Sequence, residues 1–79
     1  MKKMLKVKKV YKHITIYLDE EQQVYDKPVY IVINTKNEDV LGYIYYEQKW
    51  NQYVFTSQPD IIFSVSCLQD IIDFIENKI

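Results

Sequence analysis

One glycine, one cysteine and no arginine occur in these 79 residues. Each scarcity excludes a class of function. Phosphate-cradling loops need several glycines so that backbone N–H groups can approach a phosphate closely, and Gly42 alone cannot supply one. A closed zinc site needs four nitrogen or sulfur ligands. One histidine (His13) and one cysteine (Cys67) fall short of that, so the expectation is no metal and no cofactor. A lone cysteine cannot form an intramolecular disulfide, which predicts a reducing, cytoplasmic setting. No apolar run reaches the roughly 18 residues of a membrane span. Lys2 and Lys3 mimic the start of a signal peptide, but no apolar segment of about 7–15 residues follows them.

What is present is greasy, aromatic and unevenly charged. Hydrophobic residues make up 48% of the chain and aromatics 15%, with eight tyrosines. That suffices for one small core, and the length predicts one domain over 1–79. Six of the ten lysines fall within the first twelve residues, which carry no acid. Residues 13–79 set four lysines against eleven acids, a balance of −7. A basic lead-in therefore precedes an acidic body, and residues 1–6 are expected to be a flexible part of that lead-in.

Alternation of apolar and polar residues predicts four strands, over about 7–18, 29–34, 40–47 and 52–57. Asp19 to Gln23 is expected to break the first strand and to open a loop through Pro28. Lys36 to Asp39 reads as a turn, with Asn37 its natural left-handed residue. Gly42 inside a strand marks a bulge or a close neighbour. From Ser66 to Ile79 the period changes. Leu68, Ile72, Ile75 and Ile79 form one helical stripe, widened by Ile71 and Phe74. Ser66 with Gln69 fits a capping box, with Ser64 the rival cap. The expected fold is α+β, a four-stranded and mainly antiparallel meander with one C-terminal helix on one face (β-β-β-β-α). The expected core is Ile14, Ile16, Leu18, Ile31, Ile33, Ile44, Phe55, Leu68, Ile71, Ile72 and Ile75.

Catalytic constellations are weak. Cys67 near a helix start, with His13 as its base, is the sharpest enzymatic arrangement, yet His13 has no orienting partner and no oxyanion loop is visible. Asp70, Asp73 and Glu76 share a helix face, which is more simply the solvated side. The expectation is a protein that is not an enzyme. One helix can cover only one sheet face. The other is expected to carry Tyr11, Tyr17, Tyr43, Tyr45 and Trp50, residue types that anchor protein interfaces. The bland alternative is that these rings only pack on one another across strands. The partner would be a host protein or a second copy. The alternative function is nucleic-acid binding, with Lys3, Lys6, Lys8, Lys9 and Lys12 on phosphates and tyrosines as stacking surfaces.

Leu41-Gly42-Tyr43-Ile44, Trp50-Asn51-Gln52-Tyr53-Val54-Phe55, Phe63-Ser64, Cys67-Leu68-Gln69-Asp70-Ile71 and Asp73-Phe74-Ile75 resemble a group of small uncharacterised proteins of temperate phages and integrated bacterial elements. The resemblance spans the C-terminal half and contains no catalytic motif. It implies a setting rather than an activity: small accessory proteins that bind and inhibit or redirect a host protein, including defence systems.

Overall fold

The computed structural model describes residues 5–79. Its elements run β1 (Leu5–Val10), β2 (Ile14–Val24), β3 (Lys27–Asn34), β4 (Val40–Glu47), β5 (Gln52–Ser57) and α1 (Val65–Asn77). The strands form one antiparallel sheet in the order β1-β2-β3-β4-β5. The sheet therefore has five strands, not the four expected from alternation.

The extra strand comes from a hairpin hidden in the first predicted one. The chain reverses at Tyr11-Lys12-His13, where the Tyr11 N–H donates to the Ile14 carbonyl at 2.8 Å. No Gly, Pro, Asn or Asp marks this turn; the only trace was Lys12, which broke the apolar parity. The leading residues Leu5-Lys6-Val7 are thus strand, the described end of the expected lead-in included.

Asp19 to Gln23 also stays in strand, through a register irregularity between Asp19 and Gln23. The Asp19 Oδ1 atom accepts from the Glu21 N–H at 3.0 Å inside this irregular stretch. The real turn lies at Tyr25 and Asp26, with φ of 52° and 61°. Two left-handed residues in a two-residue hairpin are what a type I′ turn demands, normally of Asn-Gly. In the β3–β4 turn the left-handed residue is Glu38, at φ 65°, rather than Asn37. Asn34 Oδ1 accepts from the N–H groups of Lys36 and Asn37, and Asn37 Oδ1 from that of Asp39. Asn37 serves the turn with its side chain.

Gly42 meets both expectations for a strand glycine. A register shift accompanies it in β4, and a Cβ there would lie 2.7 Å from the Phe55 ring and against the Thr56 carbonyl. The missing side chain lets Phe55 lie flat across the neighbouring strand.

The helix packs on the sheet as expected, but on a rotated face. Its buried residues are Ile71 and Phe74, with Cys67 and Ile75 against the same core. Phe74 is 1% exposed and meets the Tyr30 ring edge-on at 5.1 Å. Leu68 and Ile72, expected in the core, are 42% and 52% exposed. The sheet side of the core comprises Ile14, Ile16, Tyr30, Val32 and Ile44, with Leu18 and Phe55 half-buried. Ile31 is buried on the opposite side of the sheet. Ser64, not Ser66, is the N-cap: its Oγ accepts from the Cys67 N–H at 3.2 Å. No helix among the described residues is long and apolar enough to cross a membrane.

Candidate protein-binding face

Strand register decides which side chains share a face. Val7, Tyr17, Ile31, Tyr43 and Thr56 stand opposite one another in one row across all five strands. The next row on the helix side is Lys6, Leu18, Tyr30, Ile44 and Phe55. Tyr17 and Tyr43 therefore lie on the face away from the helix, as expected. Tyr45, opposite Val54, has the same parity as Tyr43 and joins them.

The centre of that face is shielded from water. Its central residues Thr15, Asp19, Val29 and Ile31 are buried, with no second layer of structure over them among the described residues. Tyr17, Tyr43 and Tyr45 stand half-buried beside them. They do not fill the face. A cavity of about 420 Å³ opens on it, lined by Gln22, Val24, Val29, Tyr43, Tyr45 and Thr56. The lining is apolar and aromatic with neutral polar groups, the composition of a site for an uncharged side chain or small ligand. Gln22 and Val24 reach it because β2 runs on past Asp19. Reading Asp19–Gln23 as a loop hid these two residues.

Two of the five expected interface residues lie elsewhere. Tyr11 turns to the helix side, packs on the core and donates its OH to Asp73 Oδ2 at 2.6 Å. Burial, then the hydrogen bond to Asp73, raise the Tyr11 pKa well above the ordinary phenol value. The same bond, seconded by Asn77 Nδ2 donating at 2.9 Å, holds the Asp73 carboxyl below the usual carboxylate range. Trp50 is 68% exposed at the tip of the β4–β5 hairpin, where Asn51 takes φ 57° and accepts from the Tyr46 OH. It stands in the turn rather than on the sheet face.

The lysines do not join the tyrosines. Lys6 and Lys9 pair with Leu18 and Ile16 on the helix-side parity, Lys8 sits at a bulge between Val7 and Lys9, and Lys12 is in the β1–β2 turn. Lys3 lies outside the described residues. Lys9 Nζ stands 5.5 Å from the Tyr11 ring centroid, a cation–π contact. Cys67 packs against the core, whereas His13 lines a second cavity, of about 450 Å³, with Lys12, Asn34, Thr35 and Lys36. Among the described residues no group of three or more His, Cys, Asp or Glu side chains could hold a metal ion.

Fold and face together define a two-layer α+β protein with one uncovered aromatic sheet face. No protein-family model matches the chain, and no curated protein or solved structure matches it either.

Proposed function

We propose that this chain is a small protein-binding module without enzymatic activity, and that its recognition surface is the sheet face away from the helix, carrying Tyr17, Tyr43 and Tyr45. The supporting observation is the open cavity between Tyr43, Tyr45 and the end of β2, on a sheet face that no other element among the described residues covers. Tyrosines bring large contact area at low entropic cost, and a neutral pocket accepts an apolar anchor from a partner. The resemblance to phage and mobile-element proteins makes the partner a host protein in the bacterial cytoplasm, inhibited or redirected on binding.

The test is affinity capture from a bacterial lysate with the native chain and with Tyr43→Ser/Tyr45→Ser, both checked for native circular dichroism. A partner retained by the native chain and lost with the variant supports the reading. Equal capture by both, or capture by neither, ends it. A second reading, nucleic-acid binding, draws on the run of Lys6, Lys8, Lys9 and Lys12 along one edge. Each phosphate contact would add about −0.9 to the slope of log K against log salt on duplex DNA. Binding without such a slope, or its survival after removal of residues 1–9, excludes that reading.

A further inference from the structure

The two edges of the sheet are built differently. The β1 edge carries three lysines and a bulge, both of which discourage another strand from pairing with it. The β5 edge has none of these devices. Its sequence, Gln52-Tyr53-Val54-Phe55-Thr56-Ser57, holds no charge, proline or glycine, and its register with β4 is unbroken. On its outer side no strand pairs with it among the described residues.

The layer above β5 is also unfinished. Ile62 is 96% exposed, Val65 71%, Leu68 42% and Ile72 52%. These residues follow β5 directly, Phe63 anchors them by stacking edge-on with Phe55 at 5.4 Å, and the backbone of α1 approaches β5 more than any other strand. At about 100° per residue, Leu68 and Ile72 stand on the other side of the buried Ile71 and Phe74 from Asp73, which faces Tyr11 at the β1–β2 corner. An uncharged open strand and an apolar helical flank thus lie toward one side of the molecule.

We infer that this side binds a second copy of the same chain, with β5 pairing antiparallel to β5 of its partner about a two-fold axis and the exposed apolar residues of the two helical layers meeting above the joint. A lone peptide strand would satisfy the β5 backbone but leave Val65, Leu68 and Ile72 in water. A second copy supplies both layers, because a two-fold contact uses the same patch twice. A head-to-tail pairing of β5 with β1 gains nothing, since β5 offers no acid to the β1 lysines.

The area is adequate but small. Six residues at about 3.4 Å give a contact line about 20 Å long. With a helix about 10 Å across lying on the sheet, the contact is about 20 Å deep, or about 400 Å² in projection per copy. Over both copies this is about 800 Å², the size of a weak, transient contact, in keeping with a micromolar rather than a nanomolar dimer.

Sedimentation velocity and an amide-resolved NMR dilution series on the full chain test this. The expected result is a dimer at roughly 100 µM that dissociates on dilution through the micromolar range, with shift changes confined to residues 52–57 and 62–72. Val54→Lys and Leu68→Glu each weaken the dimer at least tenfold, while Val7→Lys on the other edge leaves it intact. A chain monomeric at that concentration overturns the inference. So does a dimer insensitive to either Val54→Lys or Leu68→Glu, or dilution shifts centred on other residues. The dilution series on the native chain decides the matter even where a variant fails to fold.

Discussion

Tyr11 ties the β1–β2 corner to the helix by one hydrogen bond, and both partners titrate accordingly. Asp73 has its folded pKa lowered, by the Tyr11 bond first, so its share of stability is present above the ordinary carboxylate value and is lost as pH falls through the lowered one. Tyr11 has its pKa raised, chiefly by burial, so its share is intact below the ordinary phenol value near 10 and is lost as pH rises beyond it. Tyr30 and Tyr53 are shifted the same way by burial and add to the alkaline loss. Tyr11→Phe is expected to lower stability at pH 7 and to flatten both the acid and the alkaline limbs, as read by urea melts from pH 2.5 to 11. Unchanged limbs in the variant would show that the bond carries no weight. At Tyr25 and Asp26 the backbone is left-handed without glycine, which costs roughly 1–2 kcal/mol per residue. Tyr25→Asn with Asp26→Gly should therefore stabilise the chain by about 1 kcal/mol, visible as a higher melting temperature; a lower one would mean that Tyr25 contributes packing that outweighs the strain.

At the scale of elements, α1 shows what a linear pattern resolves and what it leaves degenerate. That residues near 66–79 form a helix was legible from spacing alone. Which flank faces the sheet was not, because Val65, Leu68, Ile72, Ile75 and Ile79 adjoin Cys67, Ile71 and Phe74 in one broad apolar arc. Either flank satisfies the periodicity. The large Phe74 ring against Tyr30 settles the choice, and Tyr11 holding Asp73 fixes the opposite flank. Phe74→Ala should accordingly cost about 3–5 kcal/mol, whereas Ile72→Ala should cost well under 1 kcal/mol. Equal losses in denaturant titration would contradict the rotation seen here. Ser64→Ala should cost about 1 kcal/mol and Ser66→Ala much less, since only Ser64 caps the helix. The strands divide similarly. β3, β4 and β5 were legible because ordinary turn residues separate them. The β1–β2 turn was not, because Tyr-Lys-His carries no turn chemistry in sequence, and the β2–β3 turn was read too long, because the polar run from Asp19 and Pro28 together look like loop. Two of the six cavity-lining residues, Gln22 and Val24, were lost in that overlong loop.

Taken whole, the molecule measures 32 × 31 × 25 Å and keeps its distinctive surfaces apart. Tyr17, Tyr43 and Tyr45 occupy the face away from the helix, the lysines follow β1, and the uncharged strand with its exposed helical flank lies on the far side. Partner capture and self-association should therefore be separable. Tyr43→Ser/Tyr45→Ser should leave the sedimentation behaviour of the chain unchanged, and Leu68→Glu should leave capture by the aromatic face intact; a loss of both properties from either change would mean that the surfaces are coupled.

The lysines and bulge of β1 then acquire a meaning that concerns assemblies more than single chains. A sheet with two receptive margins can add copies without end and grow into a filament. Here one margin is blunted, so joining uses up the only receptive one and growth halts at a pair. The outermost strands of that pair would be two basic, kinked borders that accept nothing further, a stop signal written into the opening residues of the chain.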